Sequence, residues 1–410
     1  MISRTEFPYL QQLVINDSYA HQNLTVPVFK EGEPFKHLIL TGRNGSGKTT
    51  VLKALLWVIQ HDSNNRNLNL SGSRITDLKG ALNTGGLRDD VVGNVQNELD
   101  YLTRVKPNFV RADGTAYSGF MELKKRTVIA FFEASRKTDV KDVSTVTRET
   151  DLSNQLLASA SSQSAEFFKQ YLVNKKVFQV FDAMDGKQEG AKQQEQFFAK
   201  LEETLAKIFE DPGTKLEFVR ENFEFYINLS DGRRFTFNQL SAGFSAFLSI
   251  LTELLMRTDL LRKQTHDYTY DPCGFVLIDE PETHLHLEMQ YQILPLLTDL
   301  FPNLQFIVAT HSPAVASSIT GATVFDLSTG KVLGDVAAGS SYSELMQSHF
   351  GVKDEFSNVG DAIITDIKRI VRVPEPAEAR RQLLDLLAEK GRYMSATLRL
   401  EVEAQLIGLE

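Results

Sequence analysis

The sequence predicts an α/β fold built on a largely parallel core sheet. Three observations carry this. Phe275-Val276-Leu277-Ile278 and Gln305-Phe306-Ile307-Val308-Ala309 are continuous apolar runs of strand length, as expected for strands covered on both faces. A third run, His37–Thr41, leads straight into a glycine-rich loop and then a helical stretch from about Lys48 to Gln60. The resulting order of strand, loop, helix, strand, helix, strand is that of an α/β sandwich. Around this core the pattern predicts an N-terminal antiparallel β part, an inserted helical hairpin and a helical C-terminal tail. The expected division is a head at 1–335, carrying the insertion at 150–212, and a C-terminal helical region at 336–410.

Each element has its own signal. Leu13-Val14-Ile15 and Leu24-Thr25-Val26 are short strand-like runs. Residues 61–115 are polar and rich in Asn, Gly and Asp, which predicts an irregular excursion. Tyr117–Leu123 and Thr127–Phe132 return to strand character. Gln163–Ala183 and Gln188–Glu210 have helical spacing, with a turn at Asp185-Gly186-Lys187 between them. In the second, Phe197, Phe198, Leu201, Leu205 and Ile208 share one face and Lys192, Glu195, Glu202, Glu203 and Lys207 the other. Lys215–Leu229 and Arg234–Phe237 predict a hairpin about Asp231-Gly232. A long helix follows Ser241, and Glu282–Leu300 predicts another. Pro374 and Pro376 break the tail before helices at Ala377–Glu389 and Met394–Ile407.

Composition bounds the function. The 410 residues are 42% apolar and 24% charged, as in a soluble protein with a full core. No run approaches the ~18 apolar residues of a membrane span, and Met1–Glu6 does not open a secretory signal. The single cysteine, Cys273, has no internal disulfide partner. These readings predict a cytoplasmic protein with no membrane partner. A net charge of -9, from 53 acidic and 44 basic residues, argues against coating nucleic acid through bulk charge. Basic pairs at Lys124-Lys125-Arg126, Lys175-Lys176, Arg233-Arg234 and Arg380-Arg381 read as solvated surface, and as a DNA-backbone contact only where two or more converge.

Four motifs carry chemistry. Gly42-Arg43-Asn44-Gly45-Ser46-Gly47-Lys48-Thr49 fits the P-loop pattern between a strand and a helix. Its glycines let backbone N–H groups turn inward onto phosphate, and the helix N-terminus adds a favourable dipole. Arg43 to Thr50 are the expected ATP contacts, with Lys48 on the β- and γ-phosphates and Thr49 on Mg²⁺. Asp279 and Glu280 close the 275–278 strand, where ligands of open α/β sheets bind. Asp279 is assigned to the Mg²⁺ shell and Glu280 to the attacking water as catalytic base. His311, 31 residues after Glu280 and again at a strand end, is placed to hydrogen-bond the γ-phosphate. Asn238-Gln239-Leu240-Ser241-Ala242-Gly243-Phe244-Ser245 opens the long helix with Ser241 as N-cap, making a second anion site directed at a second copy's nucleotide.

Together these motifs resemble the ATP-binding-cassette head of the structural-maintenance and RecF-like class, over about residues 10–330. The resemblance implies that two heads sandwich two ATP molecules, as a homodimer or higher homo-oligomer. It implies that Ser241 and Gly243 form the signature that holds the partner's ATP, and that His284 and His286 cross the interface. The sequence departs from the family in its signature, Leu-Ser-Ala-Gly-Phe, and in Phe131-Phe132-Glu133-Ala134-Ser135-Arg136, which stands where the glutamine loop is expected. The insert, about 100 residues between that loop and the signature, is too short for a long coiled-coil arm.

The wording Phe-Asn-Gln-Leu-Ser, Asp-Glu-Pro-Glu-Thr-His-Leu-His and Ala-Thr-His-Ser-Pro is similar to stand-alone ATPases of bacterial anti-phage defence operons, of the Septu, retron-associated and PARIS types. That implies an ATPase acting as sensor and scaffold for a separate effector such as a nuclease. In keeping with this, no Toprim acid pattern, His-Asn-His nuclease pattern or zinc-type cysteine spacing follows His311. The alternative is a RecF-like repair ATPase that binds DNA in an ATP-dependent way. The motor of a membrane transporter fits less well, because residues 61–130 hold no recognisable coupling region.

Overall fold

The computed structural model describes residues 2–18, 21–62, 71–84, 88–116, 126–135, 143, 165–186, 188–265, 267, 269–333 and 358–408. The chain forms two compact units, Met1–Ser340 and Ser341–Glu410. The expected α/β architecture is present in the first. Its centre is a six-stranded sheet of β3 (His37–Thr41), β5 (Val128–Phe132), β9 (Gly274–Asp279), β10 (Leu304–Ala309), β11 (Ala322–Asp326) and β12 (Lys331–Val332). The spatial order is β12-β11-β3-β10-β9-β5, parallel throughout except for the β12 edge. Every residue of β5, β9, β10 and β11 is buried, which accounts for the unbroken apolar runs.

Register fixes what meets at the sheet's C-terminal edge. Ala309 pairs with both Leu40 and Asp279, and Asp326 pairs with Thr41. Four strand ends therefore stop at one level, and the loops after them open side by side. A second sheet, β2 (His21–Pro27), β1 (Tyr9–Ser18) and β4 (Val105–Val110), is antiparallel. Buried Gln305 ties the two sheets together. Its amide nitrogen donates to the Leu10 and Lys36 carbonyls, at 2.9 and 2.8 Å, and its oxygen accepts from the Leu10 N–H at 2.8 Å. α1 (Lys48–Asp62) packs beneath, with Val51, Leu52, Leu55 and Ile59 in the core.

Three expectations need correction. Residues 61–115 hold two helices, α2 (Ser71–Thr84) and α3 (Asp89–Arg104), and then strand β4. Their Asn and Gly content reads as loop, but buried Leu78 and Leu99 hold them to the fold, and tertiary packing overrides propensity. The Lys215–Leu229 stretch is two strands, β6 (Lys215–Val219) and β7 (Glu224–Asn228), joined by a turn in which Phe223 has φ +53°. With β8 (Arg234–Thr236) they make a three-stranded antiparallel sheet. The helix expected from Glu282 begins at Leu287 (α7, Leu287–Leu300), because residues 281–286 form an extended turn with His284 at φ +66°. The strand expected at Tyr117–Leu123, the stretch 150–164 of the insertion and the Lys124-Lys125 pair lie outside the described residues.

The inserted hairpin consists of α4 (Ala165–Met184) and α5 (Gln188–Ile208). It is anchored to the buried helix α6 (Ala242–Thr265) by charge. Lys175, buried, lies 2.8 Å from Asp259, and the Tyr171 hydroxyl donates to the same carboxylate. Removing one member of a buried pair strands the other, at a cost of about 3–5 kcal/mol. Asp259→Ala is thus expected to destabilise the head by about that amount, read as a fall in urea midpoint, with Lys175→Met/Asp259→Leu milder than either single change.

In the second unit, α8 (Asn358–Val371), α9 (Pro376–Lys390) and α10 (Ala396–Gly408) enclose their own core of Ile363, Ile367, Leu383, Leu398 and Val402. The two helices expected after Pro376 are there, preceded by a third. Among the described residues no helix is long and apolar enough to cross a membrane. Of the basic pairs, Arg233 binds Asp231, Arg234 binds Glu217 and Arg381 binds Glu378, so these charges are engaged within the chain.

Candidate functional site

The loop after β3 turns on three positive-φ glycines, Gly42 (+136°), Gly45 (+79°) and Gly47 (+91°). At Gly42 a β-carbon would lie 2.9 Å from the hydroxyls of Ser46 and Ser328, so the position is closed to any side chain on space as well as on backbone conformation. Arg43, Asn44 and Gly45 are exposed on the loop, Ser46 is buried, and Thr50 is half-buried at the start of α1. Lys48, on the first turn of α1, folds back under the loop. Its ammonium donates to the Gly42 carbonyl at 2.8 Å and the Arg43 carbonyl at 3.3 Å. Burial lowers its pKa, opposed by the charges of Glu280, Asp279, Glu282 and Asp326.

The neighbouring strand end supplies the acids. The Thr49 hydroxyl donates to Asp279 Oδ2 at 2.8 Å. Burial raises the Asp279 pKa, and adjacent Glu280 adds to this, while the Thr49 bond opposes it. A hydroxyl and a carboxylate are hard oxygen donors, the set that Mg²⁺ takes. Among the described residues no group of three or more His, Cys, Asp or Glu is arranged to hold a metal alone. Glu280 itself has φ +47°, a left-handed conformation that costs a non-glycine residue on the order of 1–2 kcal/mol and is kept when the surroundings enforce it. Here its N–H donates to the Ala309 carbonyl at 2.8 Å and its carbonyl accepts from the Thr283 N–H at 3.2 Å.

His311 enters from β10. Its Nε2 is 3.7 Å from Glu280 Oε1, and its Nδ1 is 3.5 Å from the Lys48 ammonium. Burial first, then the Lys48 charge, lower its pKa and hold the ring neutral at pH 7. The sheet thus brings Lys48, Thr49, Asp279, Glu280 and His311 together, within the hydrogen-bond and ion-pair distances given above. Ser241 and Gly243 are placed elsewhere. Ser241 caps α6 with a long contact, 3.5 Å to the Phe244 N–H, and is exposed. It lines a cleft of about 530 Å³ with Phe209, Arg233, Phe244 and His286. Gly243 is buried against the loop after Glu280, where a β-carbon would lie 2.4 Å from the His284 carbonyl oxygen. Its lack of a side chain is a packing requirement of the chain's own fold.

Sequence reasoning missed two residues. Glu282 accepts from the Thr310 hydroxyl at 2.8 Å, the His311 N–H at 2.6 Å and the Ser312 N–H at 3.1 Å. It clamps the histidine loop, and burial raises its pKa. Nothing local pairs residues so far apart in the chain. Glu282→Ala is expected to release His311 and slow any hydrolysis by about 10- to 100-fold while nucleotide affinity changes less, a split between turnover and binding titrations. Asp326 is fully buried, accepts from the Ser328 N–H and Thr329 hydroxyl, and so braces Ser328, whose oxygen accepts the Arg43 N–H at 2.7 Å. Its signal was readable: Ala322–Asp326 repeats the pattern of an apolar strand ending in an acid.

Fold and site define a P-loop nucleotide-binding α/β protein. The chain belongs to the family described as "AAA domain, putative AbiEii toxin, Type IV TA system", which matches residues 38–317. It is 39% identical over 93 residues to "Retron Ec83 probable ATPase" of Escherichia coli, covering 23% of this chain and 17% of that protein. It is 24% identical over 288 residues to "Septu protein PtuA" of Bacillus thuringiensis, covering 67% of this chain and 66% of that one. The matched stretch therefore spans under a fifth of the retron ATPase's own length. Among solved structures, an Smc head bound to the C-winged helix domain of ScpA aligns with TM-score 0.38 and 15% identity, over 78% of this chain and 94% of that chain.

Proposed function

We propose that this chain binds and hydrolyses ATP with Mg²⁺ in the cytoplasm, as the sensor and scaffold subunit of an anti-phage defence system whose effector, such as a nuclease, is a separate chain. The observation that carries the ATP reading is the Thr49–Asp279 hydrogen bond at 2.8 Å, set beside Lys48, Glu280 and His311 at one sheet edge. Arg43 to Thr50 wrap the triphosphate with backbone N–H groups, and Lys48 moves its ammonium from the Gly42 carbonyl to the β- and γ-phosphates. Thr49 and Asp279 hold Mg²⁺, which supplies charge neutralisation at those phosphates. Glu280 orients the attacking water and takes its proton. Neutral His311 donates a hydrogen bond to the γ-phosphate, its backbone N–H fixed by Glu282.

The N-terminus of α6, with exposed Ser241 and with Gly243 buried behind it, faces the ATP of a second copy, giving composite sites in a homodimer or higher oligomer. The defence role is supported by the names of the relatives, a retron ATPase and a Septu protein. The test is to purify tagged Glu280→Gln chain from its native operon with ATP and Mg²⁺ and to identify what co-purifies. A stoichiometric product of a neighbouring gene is expected. Recovery of a bare dimer carrying DNA would overturn the scaffold role in favour of a repair ATPase.

A further inference from the structure

β3 ends at the phosphate loop and begins, at His37, beside another cavity. Four steps of about 3.3 Å put its first residue about 13 Å from its last, at the opposite edge of the sheet. There the N-terminal segment, the loop before β3 and the turn after β4 line a cavity of about 390 Å³, the size of a small-ligand pocket. Its aromatic part is rigid. Tyr9 and Phe35 stack with ring centroids 3.9 Å apart and planes 13° apart. Tyr9 is buried, and its hydroxyl donates to the Asn303 carbonyl at 3.0 Å. The Arg4 guanidinium lies over Phe35, 4.8 Å from the ring centroid. Stacking engages the face of a guanidinium and leaves its N–H groups in plane, able to take a carboxylate bidentately.

The loop before β3 supplies the opposite charge. Glu31 Oε1 reaches the turn after β4 so closely that a β-carbon on Gly114 would lie 2.9 Å from it. The neighbouring charges are engaged within the chain. Glu33 pairs with Lys36 at 3.7 Å, and Arg111 Nε donates to the Glu6 carbonyl at 3.1 Å. Arg4 and Glu31 are different. Both are exposed, both line the cavity, and neither has an ion-pair partner among the described residues. One cavity thus presents one unneutralised cation and one unneutralised anion, which are not paired with each other.

We propose that this cavity binds a small zwitterion of the amino-acid type, with its carboxylate on Arg4, its ammonium on Glu31 and an apolar side chain against Phe29 and Pro34, which also line it. Charge selects the class. One cation and one anion are matched by a ligand of zero net charge that carries one of each. A nucleotide brings several negative charges and no ammonium, so its phosphates would meet Glu31 and Glu33 as like charges. The lining residues come from outside the phosphate loop, so this ligand is independent of the ATP reading.

The test titrates free phenylalanine, leucine and methionine into the full chain by isothermal calorimetry, with adenosine monophosphate as the nucleotide control. At least one amino acid is expected to bind with a Kd at or below about 1 mM. Arg4→Gln and Glu31→Gln are each expected to weaken that binding about 10- to 100-fold, the range for losing a hydrogen bond to a charged group. Altered ligands then assign each contact. The methyl ester has no carboxylate, so it should bind the wild-type chain weakly and lose nothing further in Arg4→Gln. The N-acetyl form has no ammonium and should show the same relation to Glu31→Gln. Both substituted residues are exposed, and melting curves verify that the variants stay folded. Absence of binding by all three amino acids, equal affinity in the wild type and either variant, or tighter binding of adenosine monophosphate than of any amino acid would each overturn the proposal.

Discussion

Lys48→Ala is expected to weaken ATP binding by at least about 10²-fold, the scale of losing a charged donor preorganised on a phosphate group. In the folded chain the Lys48 ammonium is buried under the loop and donates to two backbone carbonyls, Gly42 and Arg43. Four carboxylates, Glu280, Asp279, Glu282 and Asp326, act on that charge without outweighing its burial. Burial penalises the charged form, as the lowered pKa records, so truncating the side chain removes a strained charge. The melting temperature should therefore stay level or rise while a fluorescent ATP titration loses its signal. A variant that lost binding and folding together would mean that Lys48 supports the loop's structure.

Glu280→Gln should leave ATP affinity near wild type and reduce hydrolysis by about 10²–10⁴-fold, the contribution typical of a positioned general base. The amide keeps the shape and the left-handed turn at φ +47° but takes no proton. Its expected product is a trapped ATP complex, visible as retained nucleotide after gel filtration and as a shift to dimer mass with ATP but not ADP. His311 sets the acidic side of the wild-type profile. Its pKa lies below the usual 6.5, so the ring is neutral at pH 7 and above, and activity is expected to fall as the ring protonates at a pH below that of a free imidazole. Hydrolysis by Glu280→Gln at the wild-type rate would move the base to another residue.

How far these sites were legible follows from their range in the chain. The P-loop, the 275–279 and 305–309 strands and the helix after Ser241 are written in contiguous residues, and each stands where its pattern predicted. The α2 and α3 helices were not legible, because their Asn, Gly and Asp content is that of a loop and only burial of Leu78 and Leu99 selects helix. The shift of the post-Glu280 helix to Leu287 has a structural cause: Glu282 stays outside the helix and accepts from the Thr310 hydroxyl and from the His311 and Ser312 N–H groups. Glu282 and the cavity shared by Arg4 and Glu31 depend on which distant segments meet, which no local pattern records. Gly243 is a case where motif and packing overlap, since the carbonyl of His284 already demands a glycine there.

Hydrolysis of ATP at this sheet edge is tested by steady-state phosphate release from the homogeneous wild-type chain with Mg²⁺-ATP, run beside Lys48→Ala. The predicted result is turnover that saturates with ATP, stops when EDTA removes the metal and is absent in Lys48→Ala. Release that is equal in the two proteins, or none from a wild-type chain with ATP demonstrably bound, would contradict the account.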